Sequence, residues 1–511
     1  MSDQMLYNAA DDLLSRNITA GRGDKIAFID ASGSYTYADV AQRANRAANA
    51  LRERGIEPEQ RVVLCMLDTI DLVAAFLGAL KAGLVPIPLN TRLTEKDYAF
   101  IVDDSRAAGL VISEPLLPMF ENHLGDHASI KTVMVSGVDG KGHELFSAAM
   151  EGAADAFEAA QTRRDDMCFW LYTSGTTGMP KGAVHLHSSA VETADLYAVP
   201  TLGIHENDVV YSAAKLFFAY GLGNALSFPM AVGATTVLLD GMPTPEAVAE
   251  ILTKHGVTLF FGVPTLYGML LASDALPAAG EHGLRLCVSA GEALPGELLR
   301  RWSKRMGTDV LDGLGSTEML HIFLTNQQGD VRPNSSGKAV PGYELRLVDD
   351  DGAPVPDGEL GHLEVAGSTS AIMYWNQRER SRETFKGSWT RTGDKYFRDN
   401  EGYYIYGGRS DDMMKVGGIY VSPFEVEGAL LEHDAVFEAA VVAHPDQDDL
   451  IKPKAFVVTA EGHSGSDALA DELKTFVRGK LAEFKYPRWV EFRDELPKTA
   501  TGKIQRYKLR A

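Results

Sequence analysis

The chain has 511 residues, too many for one ordinary core, so two or more domains are expected. Its hydrophobic fraction of 45% and charged fraction of 23% are those of a globular protein, and no apolar run approaches the length of a membrane span. The formal net charge of -21 argues against a nucleic-acid partner, so an anionic ligand must be held by local loop amides and a few lysines.

Met1 to Ala20 carries Asp11 and Asp12 and lacks a basic-then-apolar leader pattern, which makes the cytoplasm the expected location. Up to about Asp240, short β-rich runs alternate with helical patterns. Arg61–Leu67, Gly109–Ser113, Thr132–Ser136, Cys168–Thr173 and Ala234–Leu239 read as strands, and Ile70–Ala82 as an amphipathic or buried helix. Pro245–His255 and Leu266–Ser273 read as helices, with strands at Thr258–Val263 and Arg285–Ser289. This alternation predicts an α/β fold of parallel-rich sheets flanked by helices. From Glu344 short strands and turns suggest a smaller β-rich subdomain ending before Gly407. The last hundred residues or so read as a small α+β unit. Its strands are near Glu438–Ala443 and Lys454–Val458, and its helix near Ala468–Glu483. Cys65, Cys168 and Cys287 are odd in number and widely spaced, so buried thiols are expected rather than a disulfide framework or a zinc site.

The most informative stretch is Tyr172-Thr-Ser-Gly-Thr-Thr-Gly-Met-Pro-Lys-Gly182. A strand-like run feeds a loop in which Gly175, Gly178 and Gly182 let backbone amides turn toward one ligand. Thr173, Ser174, Thr176 and Thr177 add hydroxyls, and Lys181 adds a positive charge. The combination suits a polyphosphate. It is not the P-loop NTPase pattern, because the glycine spacing differs and no Ser or Thr follows the lysine.

This loop resembles the signature of the adenylate-forming superfamily, which includes acyl- and aryl-CoA synthetases, luciferases and peptide-synthetase adenylation domains. Further matches follow in the same order over most of the chain. Ser289-Ala290-Gly291-Glu292 is similar to the family's adenine-contacting turn. Asp312 followed by Gly313-Leu314-Gly315-Ser316-Thr317-Glu318 is similar to its second nucleotide motif, with the threonine near the α-phosphate. Many relatives carry an aromatic where this chain has Leu314, so adenine stacking here would be aliphatic on that side. The resemblance gives Asp394 and Arg409 to the ribose, Asp411 to an interdomain hinge, and Lys503 in Pro497–Lys503 to the adenylation step. It divides the chain into an N-terminal adenylation domain, 1–409, and a mobile C-terminal domain, 410–511.

A carboxylate attacking the α-phosphate of ATP brings two anions together, so cations and preorganised donors must stabilise the developing charge. Lys503 and Lys181 are the candidate cations, and Thr317 a hydroxyl beside the phosphate. Glu318, with Thr173, offers hard oxygen ligands for Mg²⁺. A thiol, that of coenzyme A, must then reach the same carbonyl. The resemblance implies rotation about Asp411, with Gly417 and Gly418 along the thiol tunnel and Lys415 acting in the second orientation.

The acid pocket is expected near Phe217-Phe-Ala-Tyr-Gly-Leu-Gly-Asn224 and Met319-Leu-His-Ile322. Aromatic rings alternating with small residues suit a flat acyl group beside Tyr220, with room at Ala219 and Gly221. Gly315, His321 and Ile322 would line the far side. Both strings resemble those of benzoate-CoA ligases. His321 is read as a packing or hydrogen-bonding residue and not a general base, because the substrate carboxylate is already ionised. His185 and His187 have no accompanying carboxylate cluster and are not read as a metal site.

The expectation is therefore an ATP-dependent acid:CoA ligase acting on benzoate or a close analogue through an acyl-AMP. A medium-chain fatty acyl-CoA synthetase, a carrier-protein-loading adenylation enzyme and a nucleotide sensor that has lost the reaction are the competing readings. For the assembly, a homodimer is an open expectation.

Overall fold

The computed structural model describes residues 6–173, 179–410, 412–416, 419–447, 450–498 and 504–510. The side chains of Asp126 and Tyr420 also lie outside the described set.

Two parallel-rich sheets form the larger part of the molecule. One has nine strands, and its middle runs parallel from Val310–Gly315 through Leu286–Ala290, Leu259–Gly262, Val209–Ser212 and Thr235–Val237 to Ile26–Asp30. Antiparallel strands close both edges. The other has five parallel strands in the order Val85–Pro88, Arg61–Cys65, Gly109–Ser113, Thr132–Ser136 and Glu144–Leu145. The strands Val85–Pro88, Arg61–Cys65 and Gly109–Ser113 are buried on both faces along almost their whole length, as a covered parallel sheet requires. The expected strands of these two sheets lie within a residue or two of their observed limits.

The helix Ile70–Lys81 is buried on every side, including Lys81, whose Nζ donates to Asn45 Oδ1 at 2.8 Å. It packs on Tyr37–Glu53, whose start is fixed by a reciprocal Thr36–Asp39 capping box. The helices approach so closely that a Cβ on Gly78 would lie 2.7 Å from the Ala44 carbonyl oxygen. Alanines on one helix and glycine on the other thus replace large side chains at this crossing.

Residues 344–409 build a five-stranded antiparallel sheet, the β-rich segment expected from the turn signals. The C-terminal residues form a separate three-stranded sheet of Val436–Pro445, Ile451–Thr459 and Trp489–Phe492. The helices Pro423–Leu431 and Asp467–Lys480 cover it around a core that includes Val426, Leu430, Val441, Leu473 and Val477. Cys65, Cys168 and Cys287 are free and buried.

Candidate functional site

The strand Met167–Thr173 carries the chain into the glycine-rich segment, and Lys181–Leu186 returns antiparallel, pairing Thr173 with Lys181. Ser174, Gly175, Thr176, Thr177 and Gly178 lie outside the described residues. Gly182 sits under the Tyr172 ring, 3.0 Å from where its Cβ would be, so it serves this strand pairing rather than the loop.

At the return, three polar groups meet. Lys181 Nζ donates to the Tyr374 hydroxyl at 2.7 Å and reaches Glu318 Oε1 at 3.3 Å, while the Tyr374 hydroxyl donates to the same Oε1 at 2.5 Å. Lys181 also lies 4.1 Å above the Tyr374 ring. Burial works against the charge on Glu318, yet Lys181 and the Tyr374 hydroxyl hold its carboxyl below the usual range. Burial lowers Lys181 and Glu318 pulls it back. The result is a preformed carboxylate suited to a hard cation. Sequence reasoning missed Tyr374: its partners are 56 and 193 positions away, and nothing in the run Met373-Tyr-Trp signals them.

Parallel pairing sets Ser289 beside Asp312 and Ala290 beside Gly313, so the two nucleotide-like motifs are neighbours in one sheet. Gly291 follows in a turn with φ 95°, a conformation that suits glycine. Asp312 is buried, which pushes its carboxyl up to about 8 despite amide hydrogen bonds from Leu294 and Gly313. Among the described residues, Ser289 Oγ and Asp312 Oδ1 are buried polar atoms without a protein partner, which fits a site completed by a polar ligand or water. Leu314 is half-buried against the core that contains Ile322 and Phe323. Ser316 Oγ accepts from the Met319 amide at 3.2 Å. The Thr317 carbonyl accepts from His185 Nε2 at 2.8 Å; burial pulls His185 down to about 4, so this is a neutral ring donating one hydrogen bond. His185 therefore braces the nucleotide-like motif from behind, a role its sequence position did not reveal.

Asp394 pairs with Arg409 across adjacent strands, and Arg409 Nη1 lies 3.4 Å from Asp394 Oδ1 and donates to the Thr392 carbonyl at 3.2 Å. The two residues expected at the ribose are thus brought together.

In the expected acid region, Tyr220 follows Phe217, Phe218 and Ala219; Phe217 and Ala219 are buried, with the two phenylalanine rings 4.4 Å apart. The Tyr220 hydroxyl donates to the carbonyls of Gly262 and Val288 at 3.3 and 3.2 Å. Its ring lies 5.5 Å from His321, which is also flanked by Tyr197 and Phe228. His321 Nε2 meets Asn224 Oδ1 at 3.0 Å, and burial pulls the ring down to about 3. It is a neutral, hydrogen-bonded core histidine, and Asn224 is the partner that the sequence reading left unselected.

One expectation about this pocket is corrected, that Gly221 leaves room for an acyl ring; Gly315 and Ile322 are closely packed by the protein itself. A Cβ on Gly221 would lie 2.0 Å from the Lys215 carbonyl oxygen, so its missing side chain admits backbone, not an acyl ring. The space before Gly315 is likewise taken by the His321 carbonyl, 2.7 Å from the Cβ position, where the chain doubles back. Ile322 is 1% exposed and packs against Gly313 within the core.

At the C-terminal end, the Ile504 amide donates to Glu292 Oε1 at 3.1 Å, joining the residue after Lys503 to the adenine-like turn. Arg506 and Glu427 form a buried bidentate pair, 2.8 Å at its shortest. Lys415 is exposed on the strand Met414–Val416. Lys503, Asp411, Gly417 and Gly418 lie outside the described residues.

A family model described as AMP-binding enzyme matches residues 15–375, and one described as AMP-binding enzyme C-terminal domain matches 425–503. The chain belongs to the AMP-binding enzyme family. Within this family it is 57% identical to a benzoate–CoA ligase of Thauera aromatica, over 99% of this chain and 96% of that protein. It is 48% identical to a 4-hydroxybenzoate–CoA/benzoate–CoA ligase of Rhodopseudomonas palustris, over 99% and 94% of the two. A solved benzoate CoA ligase from Burkholderia xenovorans LB400 superposes with a TM-score of 0.93 at 50% identity, covering 99% of this chain and all of that one.

Proposed function

We propose that the protein is an ATP-dependent ligase that converts benzoate, or a closely related aromatic acid, to its CoA thioester. A carboxylate oxygen of the acid attacks the α-phosphorus of ATP, the bond to the β-phosphate oxygen breaks, and pyrophosphate leaves. The CoA sulfur, giving up its proton, then attacks the acyl carbonyl, and the bond to AMP breaks. The observation that carries this reading is the 57% identity, sustained over essentially the whole chain, to a benzoate–CoA ligase.

In this reading residues 173–178 cradle the phosphates, with Lys181, Thr317 and Lys503 as donors or cations around the reacting phosphate. Ser289–Glu292 and Asp312–Ser316 take the adenine, and Asp394 and Arg409 the ribose. Glu318, with Thr173, would hold Mg²⁺, which when bound neutralises phosphate charge. The preformed, deprotonated carboxylate of Glu318 supports that assignment. Phe217, Ala219 and Tyr220 are the acid-facing candidates, with His321 positioning the Tyr220 segment through Asn224. Residues 1–409 and 410–511 act as two domains joined at Asp411, and Gly417, Gly418 and Lys415 serve the thiol step. No described helix is long and apolar enough to cross a membrane, and the proposed location is the cytoplasm. A homodimer stays an open expectation for the assembly, to be weighed by sedimentation.

A panel of acids in a pyrophosphate-release assay tests the reading. Benzoate and ring-substituted benzoates should saturate at lower concentration than octanoate. Saturation by octanoate without a response to benzoate would overturn the aromatic assignment, and no release with any acid would overturn the ligase.

A further inference from the structure

The connection from the strand Arg61–Cys65 to the helix Ile70–Lys81 carries Asp68, which is 4% exposed at the end of the five-stranded sheet. Both flanks of Asp68 are tied down. The Leu67 amide donates to Ser113 Oγ at 3.0 Å, and the Ile70 amide donates to Asp30 Oδ2, on the nine-stranded sheet, at 2.9 Å. A carboxylate on so short and fixed a stretch has few directions open to it. Both of its oxygens lie 3.2 Å from the Leu216 amide, which donates to them from 148 positions later in the chain. Burial pushes the Asp68 carboxyl up to about 6, while the charge of Lys215 and the Leu216 amide pull it back, so the ionised form prevails at neutral pH. Lys215 donates to the Leu239 and Gly241 carbonyls and has Asp240 nearby, so its own burial does not depend on Asp68 alone.

Leu216 is the residue before Phe217. Its turn is closed by the Phe218 amide on the Lys215 carbonyl at 3.0 Å, and the helical turn Ala219–Leu222 sets Gly221 directly on the carbonyls of Ala214 and Lys215. With backbone packed on backbone, a shift of Leu216 is passed on to Phe217, Ala219 and Tyr220. We propose that Asp68 is a positioning residue for the acid: from the end of the five-stranded sheet its carboxylate grips the Leu216 amide and thereby fixes the segment Phe217–Tyr220 against the substrate's ring. Its action runs through Leu216 and not through the substrate. The inference rests on the reading of Phe217, Ala219 and Tyr220 as acid-facing.

Steady-state rates with benzoate and ATP varied in turn test the role. Asp68→Ala removes the acceptor, and loss of one hydrogen bond to a charged group should raise KM for benzoate about tenfold while KM for ATP stays within about twofold. Asp68→Asn keeps an acceptor of the same shape without the charge, so KM for benzoate should rise only about threefold. A purely structural loss would lower the amount of active enzyme, and so kcat, with both KM values unmoved. That outcome, equal rises for benzoate and ATP, or Asp68→Asn as impaired as Asp68→Ala overturns the proposal. Should Asp68→Ala not fold, Asp68→Asn decides alone: a threefold rise confined to benzoate supports the role, and unmoved KM values overturn it. Tyr220→Ala reports on the pocket separately, through the order of preference among ring-substituted benzoates. If it reorders them while Asp68→Ala leaves KM for benzoate unmoved, the role of Asp68 falls alone. If the order is unchanged, the pocket reading falls and the role of Asp68 with it.

Discussion

Tyr374 supplies one hydroxyl that ties Lys181 to Glu318, two groups whose charges would otherwise face each other over 3.3 Å without a fixed geometry. Tyr374→Phe keeps the ring under Lys181 and removes only that tie. Hydrogen bonds to charged groups contribute about 1.5–3 kcal/mol, so acyl-AMP formation should fall about tenfold or more, with little change in thioester formation from benzoyl-AMP. Exchange within twofold of the unaltered protein would make the hydroxyl a spectator. His185 offers a second residue-scale prediction. Its folded pKa is about 4 against 6.5 when unfolded, so its contribution is fully present above pH 6.5 and is lost as pH falls from 6.5 toward 4. At pH 5 the loss is about 2 kcal/mol relative to neutral pH. Asp312 and Asp68, raised to about 8 and about 6, act in the opposite sense, favouring the fold at low pH. They are common to both proteins, so denaturation of His185→Gln between pH 7 and 5 should show a shallower loss than the parent by about that amount. Parallel curves would show that the ring is not neutral in the fold.

Among the elements, the helix Pro423–Leu431 determines where the tail sits. Glu427 accepts from the Val441 amide at 2.6 Å as well as from Arg506, so one carboxylate ties the helix, a strand and the last segment together. Glu427→Ala would leave Arg506 buried without its partner, which costs about 3–5 kcal/mol, read in urea denaturation of the C-terminal transition. A cost below about 1 kcal/mol would mean that water replaces the carboxylate. The elements also show what the sequence could reveal. Gly109–Ser113 and Thr132–Ser136 were legible to the residue, because a short apolar run bounded by polar residues is what a covered parallel strand looks like. Tyr37–Glu53 was not, since its buried stripe is mostly alanine and its average composition is polar. The π-helical turn Gly223–Ser227 has no sequence signature at all. At the site, local motifs such as Asp312–Glu318 could be read, whereas Tyr374, Asn224 and the brace from His185 depend on contacts far apart in the chain. Gly221 shows the converse error, a small residue read as space for a ligand when the fold itself fills it.

Over the whole molecule, the Ile504 amide on Glu292 Oε1 links the last segment to the adenine-like turn 212 positions earlier. An amide held this way exchanges slowly with solvent, and only opening of that contact frees it. Glu292→Ala should speed exchange at Ile504 about tenfold while leaving the strands Val436–Pro445 and Ile451–Thr459 unchanged, as read by mass spectrometry of deuterated peptides. Uniform acceleration through the C-terminal sheet would instead indicate a general loss of stability there.

Burial of the three cysteines has a practical consequence. Their thiols are pushed up, Cys65 and Cys287 to about 12 and Cys168 well above the ordinary value, because a thiolate has no water there. A chromogenic disulfide reagent added to the folded enzyme should therefore titrate only coenzyme A, so disappearance of free thiol can be followed continuously without a protein blank drifting beneath it.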